Sequence, residues 1–158
     1  AWANPEHYDR LIQNIRNHGI DVSTEMVVGG EGDTLESIKS TKDFIERNKI
    51  SVPRFYILTP FPGTKFFHQI KDSGRLVNDD IYSYDGTSAV YKPKNMTPEE
   101  LTNAYWELYE ELFTIKSILK RNILRREIFK TPFRYIFNMI VNFYYRKQIK
   151  KRITPNIF

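Results

Sequence analysis

The sequence contains no cysteine, and this absence excludes several kinds of chemistry within the chain. Disulfides, thiolate-bound metals and cysteine nucleophiles all require a sulfhydryl group. The three histidines, His7, His18 and His68, lie far apart and form no HExxH pattern, so we expect no metal site. The lack of cysteine also favours a cytoplasmic origin.

Long apolar runs are missing as well. The stretch from Tyr135 to Tyr145 has about half of the ~20 residues that a transmembrane helix needs, and Arg134 precedes it. The amino end, AWANPEHYDR, lacks the apolar core of a secretory signal. Because it begins at Ala1 directly in helix-capping sequence, we expect the chain to be part of a longer polypeptide.

Acidic residues are almost absent from the last part of the chain. Residues 1–113 contain 12 basic and 18 acidic residues, a net charge of −6, whereas residues 114–158 contain 12 basic and one acidic residue, a net charge of +11. We therefore expect the carboxyl-terminal part to have a role of its own. With 158 residues, of which 41% are hydrophobic, the chain is still large and apolar enough to fold around a core.

Periodicity and turn residues predict alternating helices and strands in the first half. The predicted elements are a helix between Asn4 and Gly19, a strand over 20–28, a helix after a capping box of Asp33 and Glu36, a strand from Pro53, and a short helix from Thr64 to Gly74. A strand, a helix and a strand within about 40 residues form a βαβ unit, whose strands are parallel.

The second half is predicted to be mainly helical. Residues 75–96 are irregular around a candidate strand, SAVY, and a capping box of Thr97 and Glu100 begins a helix that should be the longest and continue to Leu119. The segment KTPF begins a last helix. Its apolar positions form a broad stripe of Phe133, Ile136, Phe137, Ile140, Phe143 and Tyr144.

Two parallel strands do not make a stable sheet by themselves, because parallel sheets are usually larger and covered on both faces. We therefore expect further strands from an upstream part of the same polypeptide, from self-association of two chains, or from the irregular region.

Two segments, STEMVVGGEGDT (23–34) and LTPFPGT (58–64), resemble the fifth and sixth strand ends of radical S-adenosylmethionine (radical SAM) enzymes. The resemblance is closest to the branch with an amino-terminal cobalamin-binding domain. It continues through GRLVNDDIYSYDG and KNMTPEEL, and so covers roughly residues 4–126.

The resemblance implies an α/β fold, with a partial (β/α) barrel of parallel strands over residues 1–75 and an irregular, then mainly α-helical, basic extension over residues 76–158. It implies the carboxyl-terminal fragment of an enzyme that cleaves S-adenosylmethionine at a [4Fe-4S] cluster bound by a CxxxCxxC loop. That loop is absent here, so this chain alone should be inactive. The resemblance leaves cobalamin use open.

The same resemblance assigns residues to an S-adenosylmethionine site at the carboxyl ends of barrel strands. The candidates are Glu25, Gly29, Gly30, Tyr56, Leu58 and Pro60. Glycine lets the backbone approach a flat ring, and exposed N–H and C=O groups could contact an adenine edge. Glu25 matches an acid that could bind a ribose hydroxyl or a small-molecule substrate.

The sequence departs from the family pattern at two positions, and each of the two motifs also has a simpler local interpretation. Gly30 replaces a large apolar residue, and Phe61 replaces the arginine of the methylthiotransferase-like branch, which argues against that activity. On local grounds alone, GGEGDT could be only a tight turn with a helix cap, and PFPGT only a stiff turn.

The basic carboxyl end has three interpretations. It could pack its aromatic stripe on the barrel, attach to an anionic membrane surface, or bind nucleic acid, of which the last is the weakest because no recognised module accompanies the charge. A non-catalytic α/β module that binds a partner or a membrane through this tail is the alternative to the enzyme hypothesis.

Overall fold

The computed structural model describes residues 5–123 and 132–155, within which six α-helices and a two-stranded parallel sheet form an α/β arrangement. The chain divides into two compact units that interleave along the sequence. The first consists of the described residues of Ala1–Glu25, Ser40–Arg54 and Tyr109–Phe158, and the second of Met26–Lys39 and Phe55–Leu108. The domain boundary expected at residue 75 stays a prediction.

The elements of the first half follow the predicted order. They are α1 (Pro5–Asn17), β1 (Thr24–Val28), α2 (Leu35–Arg47), β2 (Pro53–Ile57) and α3 (Lys65–Asp72). Gly19 ends the first helix in a left-handed conformation, with φ at 77°, and Thr64 caps α3 by accepting a hydrogen bond from Phe67 N–H. The predicted N-cap Asn4 lies outside the described residues, and β1 starts four residues later than expected.

The second half contains one element boundary that the sequence pattern did not predict. After a 3₁₀ turn at Ile81–Ser83 come α4 (Pro98–Leu112), α5 (Ile115–Asn122) and α6 (Pro132–Ile149). The helix expected to continue to Leu119 stops at Leu112, because Thr114 caps a new helix by accepting a hydrogen bond from Ser117 N–H. The longest described helix is therefore α6, with 18 residues.

The predicted strand SAVY is reduced to an isolated antiparallel bridge between Leu76 and Tyr91. A backbone hydrogen bond of 2.9 Å from Val77 N–H to Val90 C=O extends this pairing. The bridge ties the two ends of the irregular segment together, so that Tyr91 is held at a defined place in the second unit. No longer strand forms in the described part of this segment.

The sheet is covered on one face and open on the other. Val28, Phe55 and Ile57 are buried, whereas Val27, on the alternate face of β1, is 60% exposed. Parallel sheets are normally covered on both faces, so the open face agrees with the expectation that further structure completes this sheet. A barrel is not seen within the described residues, which contain only the strands β1 and β2.

A fully buried arginine organises the first unit. The guanidinium of Arg121 donates to the carbonyl oxygens of Ile50, Ser51 and Leu112 at 2.8, 3.0 and 2.9 Å. It also lies 5.5 Å from the ring centre of Phe113. Leu112 is the last residue of α4, where helix carbonyls lack intrahelical partners and attract a cation. A single side chain thus connects α5 to the end of α4 and to the segment before β2.

The last helix packs through an unexpected face. Its buried residues are Tyr135, Asn138, Val141, Asn142, Tyr145 and Ile149. Asn138 donates to Asp21 at 2.6 Å and Asn142 donates to Ser51 C=O at 3.0 Å, so both amides are hydrogen-bonded where they are buried. The six residues of the predicted stripe are 43–86% exposed, so the stripe does not pack inward among the described residues, and its packing on a complete barrel stays a prediction.

Within residues 5–123 and 132–155, no helix combines the length and hydrophobicity that a membrane crossing requires.

Replacing Arg121 by methionine should lower the free energy of unfolding by about 3–5 kcal/mol, because buried carbonyl oxygens would lose their hydrogen-bond donors. Urea denaturation at neutral pH measures the change. The matched control is Lys116→Met on the exposed side of the same helix, which should change stability by no more than about 0.5 kcal/mol. Equal stability of the two variants would contradict the role assigned to Arg121.

Candidate functional site

The two strand ends singled out by the sequence lie side by side in the second unit. Leu58 N–H, just after β2, donates to Val28 C=O, the last residue of β1, at 2.8 Å. The glycine loop at 29–32 and the turn at 59–63 therefore follow neighbouring strands at the same sheet edge. In open and closed parallel sheets this carboxyl edge is where ligands commonly bind.

The glycine loop is held by Asp33. One carboxylate oxygen, Oδ2, accepts hydrogen bonds from Gly29 N–H and Gly30 N–H, both at 2.8 Å. Asp33 N–H donates back to Gly30 C=O at 3.0 Å. An acceptor-only carboxylate is well matched to two converging N–H groups, and it fixes the direction in which the chain leaves β1.

Gly29 is required by packing as well as by conformation. Its φ is +92°, a region that residues with a side chain rarely adopt. A β-carbon at this position would lie 2.6 Å from Leu101 Cδ2 on α4. The side chain of Leu101 therefore occupies the space that a β-carbon at position 29 would need.

Tyr91 covers the other side of the same glycine. Its hydroxyl donates to Gly29 C=O, and its ring stands edge-on to Phe66 with 5.5 Å between ring centres. Burial raises the pKa of Tyr91 to about 12, so the hydroxyl keeps its proton and remains a donor at neutral pH. The irregular segment that carries Tyr91 is in this way part of the site.

These contacts change the way in which the two glycines could contact an adenine edge. The N–H groups of Gly29 and Gly30 were expected to be exposed for an adenine edge, but both already donate to Asp33. Both carbonyl oxygens also have one internal donor, from Tyr91 and from Asp33 N–H. A carbonyl oxygen has two lone pairs, so Gly29 and Gly30 can still accept hydrogen bonds, while both of their N–H groups are already used by Asp33.

The residues that cap α2 also differ from those that the sequence predicted. Asp33 and Glu36 were expected to form a capping box, but the helix begins one residue later, after Thr34. Thr34 Oγ1 accepts from Ser37 N–H at 3.1 Å, and Ser37 Oγ accepts from Thr34 N–H at 3.0 Å. This reciprocal pair caps the helix and leaves Asp33 available for the glycine loop.

An ion cluster fixes the outer part of the loop. Glu31 pairs with Arg75 at 2.6 Å and with Lys94 at 2.7 Å. Hydrogen bonds from Arg75, and then from Lys94, lower the pKa of Glu31 to about 2. Arg75 Nε also donates to Lys92 C=O at 2.8 Å. The cluster attaches both ends of the segment 75–94 to the glycine loop.

The predicted contacts of the second strand end differ in accessibility. Tyr56 and Leu58 are half-buried, whereas Pro60 is buried. Gly86 lies against Tyr56, since a β-carbon at Gly86 would be 3.5 Å from Tyr56 Cδ1, and Gly86 C=O accepts from Ile57 N–H at 2.8 Å. The side chains of Tyr56, in β2, and of Leu58, just after β2, are thus more accessible than that of Pro60.

Glu25 belongs to the first unit, near the start of β1. Its carboxylate pairs with Arg54 at 2.7 Å, and its side chain is 62% exposed. Both residues line a cavity of about 210 Å³. The other lining residues are Ser23, Thr24, Val52, Phe137, Asn138, Val141 and Tyr145. The role expected for Glu25 as a ribose or substrate ligand stays a prediction.

Sequence reasoning identified the two strand ends but missed the side chains that shape them. Asp33 was assigned to helix capping, and Tyr91 and Arg75 were placed in an irregular segment. An acid four residues after a strand-end glycine is a signal that could have indicated the loop clamp. Nothing in the sequence pattern indicated Tyr91, which contacts Gly29 across 62 positions. Among the described residues, no group of three or more His, Asp or Glu side chains is placed to hold a metal ion.

No family model matches the chain. The chain is 33% identical over 116 residues to the bacteriochlorophyllide d C-12(1)-methyltransferase of Chlorobaculum tepidum. The aligned region covers 73% of this chain and 25% of that protein. It is 26% identical over 148 residues to the C-8(2)-methyltransferase of the same organism, covering 94% of this chain and 31% of the relative.

A third similarity concerns a different reaction. The chain is 24% identical over 115 residues to the anaerobic magnesium-protoporphyrin IX monomethyl ester cyclase of Rubrivivax gelatinosus, covering 73% of this chain and 20% of the cyclase. These relatives are related to the radical SAM enzymes, which agrees with the resemblance carried by the two strand-end motifs. The chain spans about a quarter to a third of the length of the first two relatives.

Replacing Gly29 by alanine should lower the free energy of unfolding by about 2–4 kcal/mol, because a positive φ and a contact with Leu101 both oppose a β-carbon. Urea denaturation measures this. Combining it with Leu101→Ala removes the contact, so Gly29→Ala should cost about 1 kcal/mol less in that background. Gly32→Ala is the control in the same loop, since a β-carbon there meets nothing within 4 Å. An equal loss at Gly32 would refute the packing argument.

Stability of the second unit should fall in acid as Glu31 is protonated. A pKa of about 2 in the folded chain against 4.5 for an ordinary glutamate means that the contribution is complete above about pH 4.5 and is lost as the pH falls towards 2. Because Glu31 is 37% exposed, the contribution is about 1 kcal/mol.

The measurement is the free energy of unfolding at neutral pH and near pH 3. Glu31→Gln should reduce the acid-induced loss of stability, whereas Glu36→Gln, at an exposed carboxylate on α2, should leave it unchanged. A Glu31→Gln variant with the same pH dependence as the parent chain would contradict the assignment.

Proposed function

We propose that this chain is the carboxyl-terminal part of a radical SAM enzyme and contributes adenosyl-binding and substrate-facing surface to its barrel. The observation that carries the proposal is the hydrogen bond between Leu58 and Val28, which joins the glycine loop and the Pro-Phe-Pro-Gly turn at one sheet edge. The similarity to two methyltransferases over 73% and 94% of the chain supports the same assignment.

The open sheet face supports a barrel completed by other residues. Val27 is 60% exposed on the same face as the half-buried Tyr56, so this face of a parallel sheet lacks cover. In a (β/α) barrel, strands supplied by the preceding part of the polypeptide would lie beside β1 and turn this face towards the interior. Such strands belong to the roughly 70–75% of the first two relatives' length that this chain does not span.

The chain's own residues suit the adenosyl group better than the cluster. Tyr56 and Leu58 offer aromatic and aliphatic surface, and Gly30 offers a backbone carbonyl that can accept a second hydrogen bond from an adenine amino group. Pro60 is buried and would act by fixing the turn. Glu25 would contribute from the barrel interior, where Arg54 now neutralises it.

The [4Fe-4S] cluster does not fit the residues present. A radical SAM cluster is bound by three cysteine thiolates, and this sequence has no cysteine. The cluster ligands must therefore come from another part of the complete protein. Cleavage of S-adenosylmethionine is accordingly assigned to the complete protein and to no residue of this chain.

The reaction outcome follows from the relatives only in general terms. Two of them are named as methyltransferases acting on bacteriochlorophyllide d and one as a cyclase acting on a magnesium-protoporphyrin ester. Methyl transfer to an unreactive carbon of a large flat substrate is the outcome we propose. Cobalamin is the proposed methyl carrier, and the domain that binds it would precede the barrel.

The proposal predicts a CxxxCxxC sequence within about 150 residues upstream of Ala1 in the same gene, a distance set by the size of half a barrel. The polypeptide that includes this motif, reconstituted with iron and sulfide without oxygen, should bind S-adenosylmethionine in equilibrium dialysis. Tyr56→Ala should weaken that binding by about tenfold, through loss of stacking on the adenine ring.

Tyr82→Ala is the matched control, since Tyr82 is 90% exposed and lies outside the strand ends. It should bind S-adenosylmethionine as the parent does. A gene that begins at Ala1, or a Tyr56 variant with unchanged affinity, would refute the proposal.

A further inference from the structure

The exposed side of α6 carries a continuous apolar surface, which we call the α6 outer face. It consists of Phe133, Ile136, Phe137, Ile140, Phe143 and Tyr144, and these residues recur at spacings of three and four over three helical turns. Phe137 lies at the edge of this face, where it also lines the cavity that contains Glu25. Their exposed fractions are 86, 56, 60, 62, 43 and 49%. Contiguous exposed apolar surface of this kind marks an interaction site more often than single exposed residues do.

The last turn of the same face is cationic. Lys147 follows Tyr144 by three positions and therefore continues the outer face, and Lys150 and Lys151 follow at the helix end. All three lysines are exposed. Residues 132–155 contain six basic residues and no acidic residue. Apolar and cationic surface are thus adjacent on one side of one helix.

The helix cannot turn this face inward without breaking buried hydrogen bonds. Asn138 is bonded to Asp21, Asn142 to Ser51 C=O, and Arg146 donates to Phe113 C=O at 2.6 Å. A polar side of α6 is therefore fixed against the first unit, and burial of its unpaired amides elsewhere would be unfavourable. The apolar side is left outward as a consequence of that packing.

We propose that the α6 outer face is a docking surface for an anionic lipid bilayer. The six apolar residues would enter the boundary between headgroups and acyl chains, and Lys147, Lys150 and Lys151 would lie among anionic headgroups. A bilayer needs both kinds of surface on one side of a helix lying in the interface plane. Duplex nucleic acid would place phosphates against the apolar turns, whose basic residue, Arg134, already donates to Gly19 C=O at 2.6 Å. The inference is independent of the proposed enzymatic function.

The test is flotation of the chain with vesicles of phosphatidylcholine and phosphatidylserine, compared with vesicles of phosphatidylcholine alone. The chain should float with the anionic vesicles, and the bound fraction should fall as salt is raised, because surface charges are screened. Circular dichroism of each variant checks that the fold is retained, and size-exclusion chromatography checks its association state.

Two variants separate the apolar and the cationic parts. A triple Phe133→Ser, Ile136→Ser, Ile140→Ser variant should lose about 100-fold or more in affinity, since each side chain gives up buried apolar area. A triple Lys147→Gln, Lys150→Gln, Lys151→Gln variant should lose about 100-fold on anionic vesicles, about fivefold for each cation.

Each triple variant has a control that makes three substitutions of the same kind on another surface. Val77→Ser, Ile81→Ser, Tyr82→Ser removes three residues that are 60, 55 and 90% exposed in the second unit. A second control, Lys39→Gln, Lys65→Gln, Lys71→Gln, lowers the net charge by the same amount at exposed positions. Both controls should bind vesicles as the parent chain does.

Several results would overturn the proposal. They are no flotation with anionic vesicles, equal binding by the outer-face variants and their controls, or tighter binding to duplex DNA that the lysine variant abolishes. A parent chain that is dimeric and stays dimeric on vesicles, with a serine variant that is monomeric, would instead assign the outer face to a second copy of the chain.

Discussion

The buried guanidinium of Arg121 is the interaction on which the first unit depends. It satisfies carbonyl oxygens at the end of α4 and in the segment that leads into β2, and it does so with one rigid, permanently charged group. Because a buried charge is tolerated only when its donors are used, the three segments cannot separate without exposing or orphaning polar groups. This contact decides where α5 lies, and with Asn142 it decides which side of α6 is buried.

Hydrogen bonds and close packing likewise constrain the glycine loop of the second unit. Asp33 and Tyr91 between them use the polar backbone groups of Gly29, while Leu101 occupies the space where a side chain would lie. The loop is therefore rigid before any ligand arrives. Under the proposed function, a preformed strand end would lose little entropy on binding, and a nucleoside would be limited to contacts with remaining carbonyl lone pairs and with the side chains of Tyr56 and Leu58.

The exposed surfaces of the chain have different explanations. For the open side of the sheet, marked by Val27, we propose cover by strands from the rest of a longer polypeptide. The outer face of α6 ends in a cationic cluster and carries no acidic residue, and the complement that we propose for it is an anionic surface. The exposed apolar surface at Val27 and the outer face of α6 thus differ in the charged residues that accompany them.

Sequence alone determined the local structure and the position of the strand ends. Proline, glycine and threonine at helix ends, the βαβ spacing and the two strand-end motifs act through backbone conformation and local hydrogen bonds, which neighbouring residues decide. The Thr114 cap and the Asp33 clamp are also local, since each joins residues within four positions, although the hydrophobic pattern did not show them. Tertiary structure decided that Tyr91 covers Gly29 and that α6 buries Asn138 and Asn142 instead of its aromatic stripe. Those outcomes depend on partners far away in the chain, and hydrophobic periodicity carries no information about where a buried polar group will find its hydrogen bond.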